Sequence, residues 1–316
     1  MAAGSPHRVH QYGGNTGRGR PLRSGATARP TSRKEAGTVS TPPVGPRGDA
    51  ELTVPSAARA YDYFLGGAHN FAVDRAFAEQ VLRIAPSVPA VTRLNRSFLR
   101  RVVGFCLDQG IRQFLDLGSG IPTVGNVHEI ARQADGRSRV VYVDYEPVAY
   151  SHARRLLADD PSTTIVQADI RAPEAILDHP ETRRLLDFSA PVALLMVGVL
   201  LFISDDDRPG ELVATYRERL APGSLLAISH IADEHAPPAL RAEVARLVDA
   251  YAAADELVFV RTHAEVLEWF GDDASLVEPG LVFLPDWRPD TPAEHDSPAR
   301  ALGYGGVARV GRATPA

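Results

Sequence analysis

From Ser56 to Gln109 apolar residues recur every three or four positions; from Ile111 onward they gather into short runs separated by helical stretches. The first pattern belongs to amphipathic helices and the second to strands alternating with helices. Ser56 caps a predicted helix over Ala57–Leu65 that Gly66 and Gly67 end. Phe77, Val81 and Ile84 mark a second over Asp74–Ile84, after which Pro86 and Pro89 break the pattern. Leu94, Phe98, Val102, Phe105 and Cys106 share one face of a third over Val91–Gln109. Strands are expected at Gln113–Leu117, Arg139–Asp144, Thr163–Ala168, Val192–Gly198 and Leu225–Ile231, with helices between them. Val192–Gly198 is apolar throughout, as in a parallel strand covered on both faces. Thr262 and Glu265 form a capping box for a helix through Phe270. Further strands are expected at Ser275–Leu284 and Gly305–Val310, the latter as an antiparallel edge strand.

Five strand-then-helix units in series predict an α/β fold with a doubly wound parallel sheet. Ligands of such sheets bind beyond the carboxyl ends of the strands, so the residues following each strand are the ones to inspect. Composition adds three constraints. Residues 1–48 are rich in Gly, Pro, Ser and Thr, with eight basic residues and one acid, and predict a disordered basic tail. The remainder holds 26 basic and 38 acidic residues, so no nucleic-acid partner is expected of it. The single Cys106 allows no intramolecular disulfide, no window is apolar enough to span a membrane, and the N-terminus lacks the apolar core of a secretion signal. Together these predict a cytoplasmic protein.

Three strand ends carry candidate chemistry. Asp116-Leu117-Gly118-Ser119-Gly120 follows the first strand; its glycines let the backbone turn sharply and approach a ligand, and Asp116 can meet a cationic group. Thr123 stands where a third glycine would complete a dinucleotide fingerprint. Asp144, at the end of the second strand and 24 residues after Gly120, is placed to accept ribose hydroxyls. Asp169 follows the third strand and can accept from an exocyclic amine, with Ile170 packed on the ring.

An acid before Gly-x-Gly, an acid after strand two and an Asp after strand three resemble the class I S-adenosylmethionine-dependent methyltransferases. More narrowly, the chain resembles an actinobacterial family of such methyltransferases, formerly a domain of unknown function. The resemblance spans about residues 53–311 and rests on Ala58–Gly67 with Asn70-Phe71 and Asp74-Arg75, Asn95–Leu99, Phe114–Pro122, Asn126–Glu129, Val141–Pro147, Pro191–Ile203, Ser229-His230 and Pro285–Pro289. It implies a Rossmann-like sheet of seven strands, the seventh antiparallel, and S-adenosyl-L-methionine as cofactor. It adds Tyr63, Gly67, Asn70, Asn95, Ser119, Tyr145, Val197 and Gly198 to the cofactor site. It divides the chain into the tail (1–52), an N-terminal helical lid (53–110) and a cofactor-binding domain (111–316). Leu200-Leu201-Phe202 departs from the Leu-His that relatives often carry after strand four, which removes one candidate base.

Methyl transfer asks the protein to align an acceptor and exclude water, and to take a proton if the acceptor is protonated. His230, His69 and His128 are the candidates for a base; no metal is expected. Asp205-Asp206-Asp207 reads as a solvated helix cap, and His230, Asp233, Glu234 and His235 match no zinc spacing. A small-molecule methyl acceptor is the expected partner. A catalytically silent S-adenosylmethionine-binding regulator and a nicotinamide-dependent oxidoreductase are the alternatives, and Asp116 with the absent third glycine argues against the latter.

Overall fold

The computed structural model describes residues 53–121, 125–134, 136–272, 274–290 and 296–311. The predicted tail over 1–52 and the positions Pro122, Thr123 and Val124 lie outside them. Three helices come first: α1 (Ala57–Phe64), α2 (Ala72–Ile84) and α3 (Val88–Asp108). Helix α3 begins earlier than predicted, because Pro89 sits in its first turn, where no N–H donor is required.

The sheet then forms from β1 (Gln113–Leu117), β2 (Arg139–Asp144), β3 (Thr163–Gln167), β4 (Ala193–Val197) and β5 (Leu225–Ile231), all parallel, in the order β3-β2-β1-β4-β5. Helices α4 (Val127–Ala134), α5 (Pro147–Leu156), α6 (Pro173–Leu177), α7 (Pro180–Leu185) and α8 (Pro209–Glu218) are the crossovers, and α9 (Pro238–Ala252) and α10 (His263–Glu268) follow β5. The capping box of α10 forms as the sequence predicts, with Thr262 N–H donating to Glu265 at 2.7 Å.

Two expectations at the carboxyl end need correction. The run Ser275–Leu284 is not one strand but two short ones, β6 (Ser275–Leu276) and β7 (Val282–Phe283), because Pro279 and Gly280 turn the chain between them. The last strand, β8 (Gly303–Arg309), is not an edge: it runs antiparallel beside β5, with β6 and β7 paired in succession along its other side. β6 and β7 together occupy the place of one interrupted edge strand, so the expected count of seven becomes eight strands among the described residues, in the same architecture.

Alternation along the strands divides the core into two layers. Leu115, Leu117, Val141, Val143, Leu194 and Met196 face one side with α6, α7, α8 and α10. Phe114, Val140, Tyr142, Ala193 and Leu195 face the other, where Phe98, Val102 and Cys106 of α3 cover them. Helix α3 is therefore a layer of the sheet's own core. Helices α1 and α2 instead build a separate apolar cluster with Leu247, Ala250 and Tyr251 of α9. Among the described residues no helix is long and apolar enough to cross a membrane.

Candidate active site

Beyond the carboxyl ends of β1–β5 lies a cavity of about 460 Å³, roofed by α1, α3 and α9. It sits at the switch point, where β1 has β2 on one side and β4 on the other. The loop after β1 is folded back over β2: Gly118 and Ser119 both donate to Val143 O, at 2.8 and 3.1 Å. Gly118 and Gly120 have φ of +68° and +64°, and a Cβ on Gly118 would lie 2.2 Å from Val199 Cγ2. Only glycine allows this turn against the strand-four loop.

Asp144 is buried at the end of β2. It accepts from Gly120 N–H at 2.7 Å and from Glu146 N–H at 2.9 Å, which fixes its carboxylate while leaving lone pairs toward the cavity. Burial raises its pKa, and the backbone donors oppose that rise. Asp116 lies beside it. Burial pushes the Asp116 carboxyl up to about 7; the Arg96 charge opposes the shift and the Asp144 charge reinforces it. Arg96 Nε and Ser119 Oγ are buried and have no hydrogen-bond partner among the described residues. Such orphaned groups in a cavity wall mark a place for a polar ligand. Asp169, after β3, grips Arg171 through both carboxylate oxygens. Burial works to raise its pKa, but the bonds and charge of Arg171 outweigh that and hold it below the usual range. Ser229 Oγ donates to Asn95 Oδ1 at 2.6 Å, and Asn95 Nδ2 donates to Tyr61 Oη at 3.1 Å, so one relay joins β5, α3 and α1 across the cavity.

Eleven of the predicted cofactor residues line this cavity: Asn95, Asp116, Gly118, Ser119, Gly120, Asp144, Tyr145, Asp169, Ile170, Val197 and Gly198. Tyr63, Gly67 and Asn70 do not, and the reason is helix geometry. Tyr61 and Phe64 face inward, and Tyr63 lies about 200° round the helix from Tyr61, reaching Glu79 at the surface. Gly67 and Asn70 build the turn that encloses Asp62: a Cβ on Gly67 would fall 2.0 Å from Asp62 Oδ1, and Asn70 Nδ2 donates to Asp62 Oδ2 at 2.8 Å.

The three histidines separate in the same way. His69 lies against His152, with rings tilted at 46° and centroids 3.8 Å apart, and His128 is held by the Tyr142 hydroxyl at 2.8 Å; neither borders the cavity. His230 does, but its ring packs edge-on to Trp269, its Nδ1 donates to Ile231 O at 2.8 Å, and burial depresses its pKa to about 4. It is neutral at physiological pH. Leu201 also borders the cavity. Asp205 is paired with Arg261 and Asp207 with Ser204, outside the cavity lining.

Sequence reasoning missed Arg96, Ser229 and Glu256 as lining residues. For Arg96 a signal existed: Val88, Val91, Thr92, Asn95, Arg96 and Leu99 follow one helical stripe of α3, and three of them are polar. Glu256 stands in the segment after α9, where no periodicity points to it.

A mostly parallel sheet with an antiparallel strand beside β5, and three acids at the ends of β1, β2 and β3 around a Gly-x-Gly turn, is the class I methyltransferase arrangement. The chain belongs to the S-adenosyl methyltransferase family, whose model matches residues 46–311. It is an S-adenosylmethionine-dependent methyltransferase, with S-adenosyl-L-methionine as methyl donor. Two solved actinobacterial structures are similar to it. One is a candidate methyltransferase of Thermobifida fusca YX, 41% identical, covering 85% of this chain and 100% of its own, with a TM-score of 0.78. The other is a DUF574 family protein of Streptomyces avermitilis MA-4680, 40% identical, covering 82% and 98%, with a TM-score of 0.76. No curated protein matches the chain.

Proposed function

We propose that the cavity holds S-adenosylmethionine along the strand ends and a small-molecule acceptor under α1 and α9. Asp116 takes the ammonium of the cofactor's amino-acid end, and Arg96 Nε and Ser119 Oγ, both without hydrogen-bond partners among the described residues, take its carboxylate. Asp144 accepts the two ribose hydroxyls, with Tyr145 beside it. Asp169 and Ile170 border the adenine. Asn95, held by Ser229 and Tyr61, keeps the space between cofactor and acceptor in register with Val197 and Gly198. The observation that carries this reading is the convergence of Asp116, Asp144 and Asp169 on one cavity, around a turn at Gly118 that has no room for a Cβ beside Val199.

The bound sulfonium supplies an electrophilic methyl group; the chain's work is to orient the acceptor and keep water out. Ala57, Ala58, Tyr61 and Phe64 of α1 close the cavity from above. Within residues 53–110, the residues over the cavity come from α1 and the first half of α3. Of the described histidines, His230 alone borders the cavity, and its low pKa makes it a weak base. The acidic body fits a small molecule better than a nucleic acid. A cytoplasmic location fits the single thiol, Cys106, buried and unpaired, whose pKa burial pushes up to about 12.

Calorimetry with S-adenosylhomocysteine tests the assignment. A charged hydrogen bond contributes roughly 1.5–3 kcal/mol, so Asp144→Ala weakens binding by about tenfold or more. Equal affinities would remove Asp144 from the site, and no heat with the native protein would refute the site as a whole.

A further inference from the structure

The two walls of the cavity differ in chemistry. The strand-end wall carries the acids just described. The facing wall, from α1, α3, the turn after β4 and α9, presents Phe64, Val88, Leu201, Phe202, Leu247 and Tyr251. Phe64, Val88, Leu247 and Tyr251 belong to one buried cluster, and Leu201 and Phe202 pack against it. The Tyr251 ring is braced edge-on by Phe77 at 5.0 Å and lies 6.3 Å from Phe202. Burial raises the Tyr251 phenol well above its ordinary range, and the nearby Glu256 charge adds to the rise, so Tyr251 is neutral at physiological pH.

The charges around the rest of the cavity limit what lies against that wall. Asp116, Asp144, Glu146, Asp169, Asp255 and Glu256 border the space, against Arg96 and Arg171 alone among the described residues. Arg171 is already committed to Asp169 and Glu146 to Arg59. An anionic acceptor would meet this field and find no free cation on the apolar side. An ammonium acceptor would lose its hydration against six apolar and aromatic side chains, and it carries the same sign as the sulfonium it must approach. An uncharged body loses little hydration there and gains contact with the aromatic rings.

We propose that the methyl acceptor is an uncharged molecule with an apolar, ring-containing body seated against Phe64, Leu201, Phe202, Leu247 and Tyr251. This rests on the cofactor reading above, which assigns the polar wall to S-adenosylmethionine. Leu201 then has a positive role: where a His would present a polar edge, Leu201 extends the apolar wall.

The probes are 2-naphthol and two charged analogues of the same ring body, 2-naphthoate and 2-naphthylmethylammonium. Each is titrated at about pH 7 into protein saturated with S-adenosylhomocysteine. The expected result is that 2-naphthol binds at least about tenfold more tightly than either ion. Leu201→Asp and Leu247→Asp are each expected to remove the 2-naphthol heat while S-adenosylhomocysteine affinity stays as in the native protein. Binding of either ion as tightly as the naphthol, or no naphthol binding at all, overturns the proposal. Naphthol binding that survives both substitutions does so too. The same titrations without S-adenosylhomocysteine separate the two readings: naphthol heat that persists where S-adenosylhomocysteine gives none refutes the cofactor site and leaves the apolar wall standing.

Discussion

The strand-end wall and the helical roof of the cavity are built by different physics. At the strand ends, each acid is placed by the strand before it, and what holds a carboxylate there is close in sequence: Gly120 and Glu146 N–H groups fix Asp144, and Arg171 grips Asp169 two residues away. The roof is fixed by side chains distant in sequence. Arg59 of α1 is 1% exposed; its Nε donates to Asp74 at 2.8 Å, its Nη1 to Glu146 at 2.5 Å and its Nη2 to Val54 O at 2.6 Å. Glu146 is also the residue whose N–H steadies Asp144. One buried guanidinium therefore pins the roof to the ribose-facing loop. The strand-end wall is a property of local chain geometry, whereas the roof depends on a long-range ionic contact.

The largest expected effect follows from that difference. Arg59→Ala strands two buried carboxylates, Asp74 and Glu146, and breaking such a cluster costs roughly 3–5 kcal/mol. For a domain of this size, that lowers the melting temperature by roughly 10 °C. Cofactor affinity falls with it, because Glu146 loses its anchor. A drop below about 3 °C would show that apolar packing of α1 and α2 on α9, not the ion cluster, holds the roof.

The same difference explains what the sequence disclosed. Asp116, Asp144 and Asp169 were legible because each closely follows an apolar run, and a parallel strand delivers its next residues to the ligand edge. The helical roof was legible as helices but not as faces. Tyr61 and Tyr63 are equivalent by composition, and only packing against α3 and α9 decides that Tyr61 turns inward. The break between β6 and β7 was written in Glu278-Pro279-Gly280, a sequence that stops a strand. The interior place of β8 was not legible, since it depends on pairing with β5 some 75 residues earlier in the chain.

The next effect concerns the polar wall and its pH dependence. Burial raises the Asp116 carboxyl from its ordinary 3.8 to about 7, so the empty site is protonated below pH 7. A ligand ammonium favours the ionised form, so binding in acid releases a proton. Affinity for S-adenosylhomocysteine is expected to rise by up to about tenfold per pH unit toward pH 7 and then level. The stability of the free protein moves in the opposite sense. The folded state binds the extra proton between about pH 4 and 7, so this group's contribution falls as pH rises through that window. Asp116→Asn should flatten both profiles. Calorimetry and thermal melts across the range check them, and an unchanged affinity profile in Asp116→Asn would assign the proton to Asp144, whose pKa burial also raises.

The smallest expected effect decides whether the roof moves. Helix α1 is pinned near its start by Arg59, but among the described residues its carboxyl half has no such ionic tie to the strand-end loops. Tyr61 Oη receives Asn95 Nδ2 at 3.1 Å and reaches Thr92 O only at 3.4 Å. Gly66, at φ +80°, then turns the chain toward α2. A cover hinged at Arg59 would therefore be loosest from Tyr61 to Gly67. Filling the cavity brings the ligand against Asn95, and through it Tyr61, so hydrogen exchange at residues 61–67 should slow when S-adenosylhomocysteine binds. The change is modest, because the backbone bonds of α1 are already formed in the free protein. Fixed padding would exchange equally with and without ligand. If Gly118–Gly120 slows and residues 61–67 do not, α1 is a static wall, and the acceptor enters elsewhere, past Tyr145, which is 59% exposed at the rim and reaches Glu256 at 3.4 Å.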